Sequence, residues 1–116
     1  MKLINKTEYI EKKSKFIAYY YEIENEEEAK IILQELKKDH KKARHIPYAY
    51  KVCNTARKSD DKEPHNTAGT PLFNIIEKNS LNNCFIAVVR YFGGIKLGAG
   101  GLLRAYNTAG TQVIKF

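Results

Sequence analysis

The sequence predicts an α/β domain whose elements run ββαβαβα, and three local patterns carry that prediction. Asn25 followed by Glu26, Glu27 and Glu28 is a helix start, because an Asn side chain caps free amides and acids favour the first turn. Phe85 to Val89 is a continuous apolar run of strand length, the pattern of a buried central strand. That run leads at once into RYFGGIKLGAGGLLRAY, Arg90 to Tyr106, which holds five of the seven glycines and so demands a loop between strand and helix.

Taken in order, Glu8 to Ile23 is β-prone through Phe16, Ile17 and Tyr19 to Tyr21 and reads as a hairpin turning near Lys12 to Ser14. The helix after Asn25 places Ala29, Ile32, Leu33 and Leu36 on one face and ends near Asp39. From His45 to Cys53, Ile46, Tyr48, Tyr50 and Val52 share one parity, which predicts a strand. Arg57 to Asn66 is polar without periodicity and reads as a loop, long enough to be functional or mobile. Thr70 and Pro71 open a second helix, with Thr70 as cap and Leu72, Ile75 and Ile76 buried. Leu102, Ala105, Tyr106, Ala109, Val113 and Ile114 mark the buried stripe of the last helix.

With 116 residues and 43% hydrophobic content, the chain has material for one core, so residues 1–116 read as a single domain. No run of about 18 apolar residues and no leader pattern occurs, so the expected setting is the cytoplasm, with no membrane. Cys53 and Cys84 form no C-x-x-C pair and fall in apolar strand patterns, which predicts buried reduced thiols.

The formal net charge is +7, and Lys37 to His45 contains most of a basic cluster, including Lys41, Lys42 and Arg44. Such an excess favours polyanions through counterion release, with RNA or a ribosomal surface as the first candidates. Lysines at a helix C-terminus also complement its dipole, which accounts for the same residues without a partner. The glycine segment is open to two readings in the same way. Free amides at a helix N-terminus, with Arg90, Lys96 and Arg104 around them, would accept an anion; a tight turn over packed tyrosines would use the same glycines.

Ser59-Asp60-Asp61-Lys62-Glu63-Pro64 puts three carboxylates within four residues. Repulsion among them is relieved by a cation, either a hard divalent metal on Asp60, Asp61 and Glu63 or a nearby Arg90 or Lys96. Surface salt bridges are the alternative. The loop is no EF-hand, since Pro64 and Gly69 interrupt it, and the glycine segment lacks the lysine-hydroxyl pair of a Walker loop. His45, with its side chain suited to proton transfer, completes the catalytic candidates His45, Asp60, Asp61 and Glu63.

Residues 59–64 together with Thr67-Ala68-Gly69-Thr70-Pro71 resemble the S-D-D-G-E-P-x-G-T-A-G-x-P signature of the YigZ/IMPACT family. Arg90 to Tyr106 resembles that family's second signature almost position for position. Lys13 to Ala18 is similar to its early K-S-R-F-I-A segment, and Ala43 to Tyr50 to its A-T-H-x-x-x-A-Y strand, so the likeness covers nearly the whole chain. Lys62 stands where the signature has glycine, and His65-Asn66 where it has a small residue and glycine, which implies a reshaped acidic loop.

The resemblance implies a two-layer α/β sandwich like the second domain of small-subunit ribosomal protein five. Bacterial members continue into a ferredoxin-like domain, and a chain ending at Phe116 reads as the N-terminal module without it. Eukaryotic relatives regulate translation by competing for the activator of an initiation-factor kinase. The expected function is therefore a noncatalytic binding module linked to translation through RNA, the ribosome or a translation-associated protein. Its binding residues would be Lys41, Lys42, Arg44, Arg90, Gly93, Gly94, Lys96, Gly98, Gly100, Gly101 and Arg104. The alternative is a metal-dependent enzyme acting on a phosphate-bearing small molecule or nucleotide. A divalent metal is then the one cofactor suggested.

Overall fold

A computed structural model describes residues 1–116. Its elements are β1 (Lys2–Glu11), β2 (Ser14–Glu22), α1 (Glu26–Asp39), β3 (Tyr48–Val52), β4 (Thr55–Ser59), α2 (Gly69–Lys78), β5 (Cys84–Tyr91) and α3 (Gly98–Ile114). The five strands form one antiparallel sheet in the order β1-β2-β5-β3-β4. β5 is the central strand that its apolar run requires, and seven of its eight residues are buried.

The first hairpin turns on Lys12 and Lys13, both at positive φ (47° and 67°), the primed geometry that matches strand twist. The turn lies where the sequence puts it, and β1 extends further back than Glu8. α1 begins and ends as predicted: the Asn25 side chain accepts the Glu28 amide at 3.0 Å, and the helix stops at Asp39.

Strand alternation sorts side chains onto two faces. Phe16, Ala18, Ile86 and Val88 meet Leu72, Ile76, Ala105, Tyr106 and Ala109 of α2 and α3. Tyr19, Tyr50, Phe85, Ala87 and Val89 meet Ala29, Ile32 and Leu36 of α1. The two expected layers are thus the sheet and the α2–α3 pair, and α1 covers the sheet's other face. The end of α1 is tied down by His40, whose ring nitrogens share hydrogen bonds with the Tyr19 and Tyr91 hydroxyls at 2.8 and 2.6 Å. Burial lowers the pKa of that imidazole.

Three local expectations need correction. Thr55 to Ser59 is a strand, so the polar stretch from Arg57 begins as β4 rather than as loop. β4 pairs only with β3, and an edge strand needs no apolar alternation; Arg57 and Lys58 there discourage further pairing. Cys53 is not in a strand: it sits at φ 56° in the β3–β4 turn and is exposed. Only Cys84 is buried, and desolvation pushes its thiol up to about 11. Thr70 does not cap α2, which starts at Gly69 after Ala68 and has no cap from its own flank.

The cap comes from the acidic turn instead. Asp60 Oδ1 accepts the amides of Ala68 (3.2 Å) and Gly69 (2.8 Å), and its Oδ2 accepts that of Asn66 (2.9 Å). Asp60→Ala is expected to cost about 1–2 kcal/mol, the value of a lost N-cap. Asp60→Asn should keep most of it, since an amide oxygen still reaches Ala68 and Gly69; urea titration of both variants checks this. No helix is long and apolar enough to cross a membrane.

Candidate functional site

The SDDKEP turn folds back on the sheet through three separate anchors, one per carboxylate. Asp60 caps α2. Asp61 Oδ2 accepts the Ile46 amide at 2.7 Å, and its carbonyl accepts Nδ1–H of His45, also at 2.7 Å. That carbonyl can only accept, so the proton of a neutral His45 sits on Nδ1. Its Nε2 then faces Glu63 Oε1 at 3.5 Å, a contact that becomes an ion pair when the ring is charged.

Glu63 is the deepest of the three, with 2% of its side chain exposed. Both of its oxygens bind Nη1 of Arg90, at 2.9 and 2.8 Å, and Tyr106 donates its hydroxyl to Oε2. Burial and the adjacent carboxylate raise the Tyr106 pKa far above its ordinary value, so the phenol stays a donor. The cation that relieves the acidic loop is therefore Arg90, the last buried residue of β5. The carboxylates diverge: no three His, Cys, Asp or Glu side chains of the chain converge where a metal ion could sit.

At both departures from the family signature the backbone takes the conformation that favours the signature's glycine. Lys62 and Asn66 stand at φ 69° and 61°, in the left-handed region that glycine enters freely. Asn tolerates that region and Lys does so poorly. Lys62→Gly is expected to gain about 0.5–1 kcal/mol, the relief of a left-handed side chain less the entropy glycine adds to the unfolded chain. Thermal unfolding measures it.

Beside this buried cluster lies a cleft of about 320 Å³. Arg44, Lys62 and Lys96 line it together with His45, Glu63 and Arg90, and Pro64, Phe92, Leu97 and Leu102 give it an apolar wall. The Arg44 guanidinium stands 4.8 Å from the Phe92 ring centroid. The start of α3, at Gly98 and Ala99, forms one side of the cleft and receives no side-chain cap. Its first amides are without intrahelical partners, as at any helix start.

The structure brings together part of the sequence-predicted set. Arg44, His45, Glu63, Arg90, Lys96 and Gly98 share the cleft, joined by Lys62, which sequence reasoning treated only as an intruder in the acidic turn. Asp60 and Asp61 serve the backbone beside it. Gly93 and Gly94 precede α3, and Gly100 lies in its first turn, but none of the three lines the cleft. Gly101 and Arg104 face a second depression of about 200 Å³, shared with Tyr9, Glu11 and Lys12 of the first hairpin. Lys41 and Lys42 are exposed in the turn after α1 and outside both. Phe92 and Tyr106 were missed as site residues. The signal for Tyr106 was its place two residues after Arg104 on the buried stripe of α3, which points a phenol into the core and requires an acceptor there.

The fold and the cleft define a class first: a mixed α/β domain with an antiparallel sheet, in which a buried Arg–Glu–Tyr cluster underlies a cation-rimmed cleft. The chain belongs to the Impact N-terminal domain family, whose model matches residues 12–114. Among its relatives are an IMPACT family member YvyE of Bacillus subtilis, 42% identical over 103 residues, and IMPACT family member YigZ of Escherichia coli, 33% identical over 109. These alignments cover 86% and 90% of the chain but 48% and 53% of the relatives, so the chain spans about half their length. A crystal structure described as that of a hypothetical protein superposes with a TM-score of 0.92 at 32% identity, over 96% of this chain and 56% of the other. The structure of the two-domain translational regulator Yih1 shares the fold at 23% identity, with a TM-score of 0.55, over 97% of this chain and 45% of that one.

Proposed function

We propose that this domain is a noncatalytic binding module of translation regulation, acting in the cytoplasm through RNA, the ribosome or a translation-associated protein. One observation carries the reading: the acids of the SDDKEP turn are all engaged inward, whereas Arg44, Lys62 and Lys96 at the cleft have no carboxylate partner. The surface left for a partner is cationic. Inward-bound carboxylates also support binding over metal-assisted hydrolysis, because a metal would have to take Asp60 from α2 and Glu63 from Arg90. The relatives named as Protein IMPACT homolog in Schizosaccharomyces pombe and Saccharomyces cerevisiae, 31% and 29% identical, and the description of Yih1 as a translational regulator point to the same process.

Filter binding of ribosomal RNA and of isolated ribosomal subunits at two salt concentrations tests the module. With three rim cations on phosphates, log affinity should fall with log salt at a slope of about −2. Binding indifferent to salt, or none at micromolar protein, would contradict it.

A further inference from the structure

We propose that the cleft beside α3 recognises a phosphate monoester, the terminal phosphate of a nucleotide or of an RNA 5′ end. The proposal rests on the binding-module reading and names the ligand chemistry of its cleft.

Arg90 supplies the first observation. The residue is 6% exposed, both of its hydrogen bonds leave from Nη1 to Glu63, and its buried Nε–H has no partner. Nε is closed even to a water-sized group, but Nη2 of the same guanidinium also makes no hydrogen bond and is not closed off, so on this cleft-lining residue a nine-tenths-buried cation holds a donor that lacks its acceptor. The uncapped start of α3 is the second, independent observation. Its free amides at Gly98 and Ala99, the helix residues that line the cleft, and the positive end of its dipole favour an anion on the same side.

Charge and size narrow the anion. Four cations, Arg44, Lys62, Arg90 and Lys96, line the cleft against the single carboxylate of Glu63, and that carboxylate is already bound to Arg90 and Tyr106. Such an excess matches a dianion better than the single charge of an internal phosphodiester. A volume of about 320 Å³ lies at the small end of organic-ligand sites, larger than phosphate alone requires. Phe92, Leu97 and Leu102 offer apolar contact to the group that carries the phosphate.

The test compares one RNA dodecamer with a 5′-phosphate and with a 5′-hydroxyl, by fluorescence anisotropy, and adds adenosine 5′-monophosphate as a competitor. The 5′-phosphate should tighten binding at least tenfold, and Lys96→Glu, at the exposed rim, should erase that difference while the protein stays folded by circular dichroism. Competition by the mononucleotide with no gain from the 5′-phosphate on RNA identifies the small molecule as the source of the same chemistry. Equal, salt-sensitive binding of both RNAs without mononucleotide competition overturns the monoester proposal and leaves the module intact. Mononucleotide binding with no RNA binding sustains the proposal and removes RNA as the module's partner. Binding of none of the three probes overturns both.

Discussion

Arg90→Ala should destabilise the domain by about 3–5 kcal/mol, the cost of leaving a buried charge without its partner. The carboxylate of Glu63 has 2% of its side chain exposed, and without the guanidinium it keeps only the Tyr106 hydroxyl and the His45 ring 3.5 Å away. The lost side chain also packs between aromatic rings, with its guanidinium 6.0 Å from the Phe16 centroid and 5.7 Å from that of Phe92. Urea titration measures the loss. Pairing Arg90→Met with Glu63→Gln should recover more than half of it, because both charges are then gone and the volume is kept. A loss below about 1 kcal/mol, typical of exposed pairs, would show that the cluster is open to water.

Gly93→Ala should cost about 4 kcal/mol or more, in the range kept for gross steric conflict. A Cβ built there lies 2.1 Å from the carbonyl carbon and oxygen of Lys13 and 2.5 Å from the Ser14 nitrogen. Those atoms lie where the two-residue turn of Lys12 and Lys13 enters β2, and the Gly93 amide also donates to the buried Ser14 hydroxyl at 3.2 Å. The end of β5 and the first hairpin would have to separate. Gly94→Ala provides the contrast: that residue has φ 92° but nothing within 4 Å of a Cβ, so its cost should be about 1–2 kcal/mol from backbone strain alone. Equal losses for the two variants would show that the contact with Lys13 is not tight.

Wherever structure follows from neighbours in sequence, the chain could be read directly. Asn25 caps α1 through an amide three residues on, Lys12 and Lys13 make their turn unaided, and the apolar run of β5 has the length and composition of a strand buried on both faces. β4 escaped because an edge strand is held by its neighbour's backbone and not by a pattern of its own side chains. The cap of α2 escaped for a related reason: Asp60 reaches it across eight and nine residues, while Thr70 beside it offered a nearer candidate.

The site was legible as a set of residues and not as an arrangement. Arg90 and Glu63 are 27 residues apart and Tyr106 lies 43 beyond Glu63, so only the fold brings them together. One clue was present in the sequence: an arginine that continues a fully apolar strand must find a buried acid, and Glu63 before Pro64 is the acid of the loop with no backbone amide to cap. Arg104 shows the opposite case. Its place in the glycine signature suggested a cleft residue, but the turn of α3 sends it toward the first hairpin.

The central claim is that the acids of the SDDKEP turn are engaged inward while unpartnered donors line the cleft. Titration of isotopically labelled protein with adenosine 5′-monophosphate, followed by proton–nitrogen NMR, tests it most directly. The account predicts shifts concentrated on the amides of Gly98 and Ala99 and on the guanidinium of Arg90, with the Asp60-dependent amides of Ala68 and Gly69 unmoved. Shifts centred on Asp60 to Glu63, or none near the start of α3 at millimolar nucleotide, would contradict it.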